Sequence, residues 1–159
     1  MKHVVRLRMS KGMGVPGVEF VDCDVCLKRR VGQVMGEVAE RHLHLDDGFS
    51  IVALHEDQPV GIISVHPRAL PAPLDGTYEG YIDIIEVACG YRRRGIARRL
   101  VEMSMERARG QGLHQLRAWS SEDKTEAIPM WKALGFGLCP ATTCPKGQEV
   151  RGYFVTYPL

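Results

Sequence analysis

The stretch Val87-Ala88-Cys89-Gly90-Tyr91-Arg92-Arg93-Arg94-Gly95-Ile96-Ala97 has the make-up of a phosphate cradle. An apolar strand ends, a basic turn follows, and an amphipathic helix opens just after a glycine. The first turn of a helix leaves backbone N–H groups without intrahelical acceptors and carries partial positive charge. Such an end is an anion site. Gly95 lacks the Cβ that would hold an anion away from the main chain, and Ala97 is nearly as small. Arg92, Arg93 and Arg94 add full charges. Residues 92–109 hold seven arginines and two glutamates, a net +5, in a chain whose total is +2. The rest is therefore net −3, and positive charge is concentrated where a polyanion would dock. Taken alone, the run also fits a solvated basic face.

The elements that must position this turn alternate along the chain. Residues 4–9 and 18–21 predict strands around a Gly/Pro turn. Leu27, Val31, Val34, Met35, Val38, His42 and Leu45 recur at helical spacing and predict one helix of about five turns. Asp46-Asp47-Gly48 stops it. Residues 49–54 and 60–65 predict a hairpin around Glu56-Asp57-Gln58-Pro59. Three prolines and a glycine make residues 67–76 a surface loop. A long strand over 78–88 leads into the basic turn, and residues 96–108 form an amphipathic helix that ends at Gly110 or Gly112. Residues 114–119 predict a strand. A short helix starts near Thr125 and Glu126, with Pro129 in its first turn and Gly135 as its cap. Residues 136–139 and 150–157 close the chain as strands.

Composition narrows the class. The chain has 159 residues, 45% hydrophobic and 25% charged, which is ordinary globular usage for one domain. No apolar run approaches the roughly 20 residues that span a bilayer. Arg6 and Arg8 interrupt Val4-Val5, so the N-terminus lacks a signal-peptide core. A net charge of +2 is too mild to imply nucleic acid as the partner. Five cysteines leave at least one thiol unpaired, and the expected compartment is the reducing cytoplasm.

Arg92-x-x-Gly95-x-Ala97, placed between a strand and an amphipathic helix, resembles the acetyl-CoA pyrophosphate loop of the GCN5-related N-acetyltransferase (GNAT) family. Ile85-Glu86-Val87 sits where that family's central strand reads Leu-x-Val. Downstream, Ala127-Ile128-Pro129-Met130-Trp131-Lys132-Ala133-Leu134-Gly135-Phe136 resembles the family's Ala-Ile-x-Leu-Tyr-x-x-Leu-Gly-Phe segment. The likeness covers residues 48–136. It implies a single mixed α/β domain over residues 1–159. The central sheet would be mostly antiparallel, with about six or seven strands flanked by helices and one parallel pair splayed apart. That pair would be residues 81–89 and 114–120.

The resemblance also implies the chemistry. Acetyl-CoA would be the co-substrate, with no metal, and a primary amine of a small molecule or peptide would attack its thioester directly. Backbone groups of Val87, Ala88 and Cys89 would pair with the pantetheine arm. The amides of Arg92, Arg93, Arg94, Gly95, Ile96 and Ala97 would hold the pyrophosphate. An N–H near Val87 or Ala88 would stabilise the oxyanion. Some family members carry an acidic base four residues before the position of Val87, which makes Asp83 the first choice and Glu86 the second. Strand alternation places the two on opposite faces. The family's general-acid tyrosine falls at Trp131, whose indole N–H cannot give a proton to a thiolate at neutral pH. Tyr153, Ser120 or water would then serve. The family's asparagine falls at Lys124, which could reach a phosphate. Trp131 also motivates an alternative, a non-catalytic acyl-CoA-binding sensor. The acceptor, and whether the chain forms a homodimer, are not encoded in these motifs.

Other signals carry less. Gly12-Met13-Gly14-Val15-Pro16-Gly17 matches a dinucleotide fingerprint in form, but a strand-like run follows where a helix should open. Cys23-Asp24-Val25-Cys26 with Cys139 and Cys144 would make a zinc site only if all four converged. Unlinked reduced thiols are the simpler reading, and Cys89 reads as a packing or backbone contact. His42 and His44 would leave a helix on different sides, with His42 on the apolar stripe. His55 and His66 end strands.

Overall fold

The computed structural model describes residues 14–159. The strand expected at residues 4–9 lies outside the described residues, as do Gly12 and Met13 of the glycine-rich segment. The described elements run β1 (Val18–Asp22), α1 (Val25–Met35), α2 (Glu37–Arg41), β2 (Phe49–His55), β3 (Gln58–Ala69) and β4 (Tyr78–Val87). They continue with α3 (Ile96–Gly110), β5 (Gln115–Ser121), α4 (Ala127–Ala133), β6 (Gly137–Thr143) and β7 (Val150–Pro158). Single 3-10 turns lie at Cys89–Tyr91 and Pro145–Gly147.

The strands belong to one seven-stranded sheet in the order β1-β2-β3-β4-β5-β7-β6. β1–β2, β2–β3, β5–β7 and β6–β7 pair antiparallel, and β4–β5 pairs parallel. This is the expected mixed α/β architecture. The parallel ladder sets Gly80 opposite Leu116 and Tyr81 opposite Arg117, while β4 itself continues to Val87.

The chain divides into two compact units. The first runs to Val65 and resumes over Asp83–Ser104. Its core joins Leu27, Val31, Ala39 and Leu43 from the α1–α2 segment to Val52, Leu54 and Ile62 of the sheet, with Ile84 packed alongside. Asp24 caps α1 by accepting the Leu27 N–H at 2.8 Å, the arrangement that makes Asp a good N-cap. Gly36, at φ 105°, ends α1 and opens α2. The single helix expected over residues 27–45 is therefore two, because glycine can take a backbone conformation far outside the helical region and does so at position 36. The hairpin turn is Glu56-Asp57, with φ values of 48° and 62°. Gln58 and Pro59 already belong to β3. β3 also continues through Pro67 to Ala69, three residues into the stretch expected to be loop.

The second unit comprises His66–Ile82 and Met105–Leu159. Trp131, Phe136, Leu116, Ala118 and Val155 are buried within it. The Glu79 side chain is 1% exposed. It accepts Gln115 Nε2 at 2.7 Å, Arg117 Nε at 3.0 Å and Arg117 Nη2 at 2.6 Å. A buried carboxylate needs such pairing, since an unpaired buried charge is strongly destabilising. Gly152 of β7 lies opposite Ser121 of β5, where main-chain atoms crowd its Cα. A Cβ there would sit 2.8 Å from Ser121 Cα and 2.8 Å from Trp119 Cζ2. Main-chain atoms cannot yield cheaply, so Gly152→Ala is expected to lower unfolding free energy by about 1–3 kcal/mol. Urea denaturation measures this, and an unchanged midpoint would show that the β5–β7 contact yields.

Candidate functional site

The basic turn is built from backbone. At the end of β4 the Ala88 N–H donates to Val60 O at 2.9 Å, and the Ala88 carbonyl accepts the Tyr91 N–H at 2.8 Å. Successive N–H groups of a strand point to opposite edges, so the Val87 N–H faces away from β3. Arg93 has φ 63° and Gly95 φ 84°, on either side of Arg94. Left-handed residues in such a turn gather successive N–H groups into an anion-binding concavity. The Arg99 N–H donates to Gly95 O at 3.0 Å, so the helical ladder starts there. The amides of Ile96, Ala97 and Arg98 come before it and have no acceptor within the helix. Ile96 is buried and anchors the helix start, whereas Arg92, Arg93, Arg94 and Gly95 are exposed.

The arginine heads do separate work. Arg92 Nε donates to Val87 O at 3.0 Å and ties the turn to the strand end. The Arg94 guanidinium lies 5.0 Å from the Tyr91 ring centroid, within cation–π range. The Tyr91 hydroxyl is 3.0 Å from His55 Nδ1. Gly95 is required for its backbone angle: the nearest atom to a Cβ added there would be Val15 Cγ2, at 4.0 Å.

Four residues before Val87, Asp83 gathers two histidines that the sequence pattern did not place there. Asp83 Oδ2 is 2.9 Å from His42 Nδ1 and 3.1 Å from His44 Nε2. His44 Nδ1 is in turn 2.8 Å from Asp47 Oδ2. The segment is held rigidly: the His44 N–H donates to Ser64 Oγ at 2.9 Å, and Ser50 Oγ donates to His44 O at 2.7 Å. His42 caps α2, so His44 lies beyond the helix. A two-residue spacing that diverges on a helix becomes one-sided on non-helical chain. The buried Leu43 turns to the core, and its neighbours on both sides meet Asp83. The glycine at position 36 was the available signal that helical phase is lost before residue 42.

Partial burial alone would raise the Asp83 pKa. Hydrogen bonds from His42 and His44, with their charge, outweigh that and hold the carboxyl below its ordinary value. Glu86, on the next turns of the strand pleat, is exposed.

In the second unit, Tyr153 is half-buried on β7, opposite Ser120 of β5 and Pro140 of β6. Ser120 is buried. Trp131 is 2% exposed, with its ring centroid 4.8 Å from that of Phe136. Trp131, where the resemblance places the family's acid tyrosine, is a packed core residue. Lys124 is exposed, one turn before α4. The His66 ring stands edge-on to Tyr81 at 5.9 Å. All five cysteines are free thiols. Burial, with Asp24 beside it, pushes the Cys23 thiol up to about 12. A thiol held protonated in this way is a poor nucleophile or redox centre.

The model of the Acetyltransferase (GNAT) family matches residues 25–136, more than half of the chain, and the protein belongs to that family. Solved structures of acetyltransferases share the fold. NAA60 of Arabidopsis thaliana, in complex with acetyl-CoA, superposes with a TM-score of 0.75 at 16% identity, over 89% of this chain and 99% of that one. The ribosomal-protein-S18-alanine N-acetyltransferase of Escherichia coli gives 0.69 at 13% identity, over 89% and 93%. An aminoglycoside 6'-N-acetyltransferase complexed with coenzyme A gives 0.69 at 12% identity, over 88% and 96%. No curated protein sequence matches significantly. None of the described helices is long and apolar enough to cross a membrane.

The lowered Asp83 pKa carries a sign. A carboxylate held below its unfolded value of about 3.9 stabilises the fold above that pH, and the gain is lost as pH falls through the folded value. Asp83→Asn is expected to be less stable than wild type at pH 7, with the difference shrinking below about pH 4. Urea unfolding across that range measures it; a difference of constant size would show that ionisation of Asp83 is irrelevant to the fold.

Proposed function

We propose that this chain is an N-acetyltransferase that moves the acetyl group of acetyl-CoA to a primary amine by direct attack in a ternary complex. The observation that carries the reading is the turn between β4 and α3. Two left-handed residues and a helix start offer several main-chain N–H groups to one anion, at the site where the family binds its pyrophosphate. Acetyl-CoA or coenzyme A in structural relatives supports the same ligand.

In this reading the amides of Arg93, Arg94, Gly95, Ile96 and Ala97 take the diphosphate, and Arg92 holds the strand end beneath it. Lys124 adds charge for a phosphate of the same ligand. Val87 and Cys89 supply main-chain partners for the pantetheine arm. Because the Ala88 N–H is committed to Val60, Ala88 acts as a fixed spacer, and the Val87 N–H is the oxyanion donor. The polar end of β4 around Asp83 receives the amine. Direct attack needs that amine neutral and the thioester oriented. The departing thiolate needs little help, since an ordinary thiol pKa is about 8.5. Tyr153 of β7 is the hydroxyl proposed to protonate it. Water suffices if it stands aside. The whole chain acts as one acetyltransferase domain, and its free thiols suit the cytoplasm.

Two measurements test this. Gly95→Glu is expected to weaken acetyl-CoA binding by at least about tenfold in calorimetry, through backbone strain and charge repulsion at the turn. Unchanged affinity would remove the diphosphate from this turn. With wild-type protein, acetyl-CoA and a panel of primary amines, thiol release is expected. Tight binding without release would favour the acyl-CoA sensor that the core position of Trp131 allows.

A further inference from the structure

The carboxylate at the amine end of β4 is poorly suited to take a proton. Asp83 Oδ2 faces a ring nitrogen of both His42 and His44. The same hydrogen bonds hold the carboxyl ionised, so it binds a proton weakly at neutral pH. Efficient proton abstraction needs a group whose affinity lies near the working pH.

The two imidazoles differ. His44 has an acceptor at each nitrogen, Asp83 at Nε2 and Asp47 at Nδ1. A ring used at both nitrogens has no lone pair for an incoming amine. Its side chain is also only 17% exposed. His42 meets Asp83 through Nδ1 alone, and its side chain is 42% exposed. An Nδ1–H donated to the carboxylate fixes the ring and leaves the lone pair on Nε2. The adjacent Arg41 is paired with Glu37 at 3.2 Å.

We infer that His42 Nε2, oriented by the Nδ1–H···Asp83 hydrogen bond, takes the proton from the acceptor's ammonium group. Asp83 is then a positioning residue and His42 the catalytic one. This rests on the acetyltransferase reading and deepens it. One ammonium proton moves to His42 Nε2, and the N–H bonding pair stays on nitrogen as the attacking pair. Nitrogen bonds to the thioester carbonyl carbon. The C–S bond then breaks with its pair on sulfur, and a second proton from nitrogen ends on that sulfur. Amide and free coenzyme A result, and His42 later returns its proton to water. The group that reads as an apolar-stripe residue in the sequence is the one with an accessible lone pair.

Three readouts test this. Imidazole 15N NMR is expected to show His42 as the Nδ1–H tautomer above pH 8. Asp83→Ala should return the ring to the commoner Nε2–H form. Diethyl pyrocarbonate, which reacts at an unprotonated ring nitrogen, is expected to modify His42 at least about fivefold faster than His44 at pH 7. With an amine that wild type acetylates, His42→Gln is expected to lower kcat about 100-fold and leave KM for acetyl-CoA within twofold. Asp83→Asn should lower kcat less. His42 found as the Nε2–H tautomer, or labelled no faster than His44, would overturn the assignment. So would a His42→Gln enzyme with wild-type kcat, and that result leaves the acetyltransferase reading intact. Wild type that binds acetyl-CoA yet releases no coenzyme A with any amine overturns both.

Discussion

The structure depends on a chain reversal between β4 and α3 that leaves the first amides of the helix without intrahelical acceptors. β4 must end, the chain must turn within a few residues, and α3 must start with its first amides unpaired. Each condition has a local cause. The Ala88 amide is consumed by Val60, which closes the β3–β4 side, and Arg92 ties the turn back to Val87 O. Left-handed angles at Arg93 and Gly95 then redirect the chain, and the buried Ile96 anchors the helix against it. An arginine in the left-handed region costs about 1–2 kcal/mol. Strain of that kind persists where surrounding structure enforces it, and such places are often functional.

The polar cluster at Asp83 follows another logic. Its histidines come from the segment after α2, which two buried serines pin by their hydroxyls. The carboxylate comes from the middle of β4, on the strand that leads into the anion turn. One strand therefore carries both features at a fixed rise of about 3.3 Å per residue. The strand's own geometry sets how far Asp83 stands from the turn that follows Val87.

Much of this was readable in the chain. The turn is a local motif, and its residue types state their own physical demands: glycine and alanine for close approach, arginines and a helix start for the charge; the left-handed angle at Gly95 came only with the structure. The strand and helix periods around it were clear because each element buries one face. The sheet class followed from the resemblance, and all of the strands expected within residues 14–159 are present. Less was readable where the chain departs from a regular period. Apolar spacing ran through Gly36 without a break, so two short helices looked like one. Prolines at 67 and beyond suggested loop, yet β3 persists to Ala69.

Sequence alone determined the family, the strand–turn–helix with its basic run, and Asp83 as a residue of interest, because each is encoded within a few consecutive positions. Tertiary structure decided which partners Asp83 has and which backbone amides remain available. His42 and His44 stand about 40 positions from Asp83, and their approach depends on a helix ending one residue before His42. The same holds at Ala88, whose amide reads as available until β3 is seen to take it. Hydrogen-bond capacity is a local property of each residue; how it is used is a property of the packed chain.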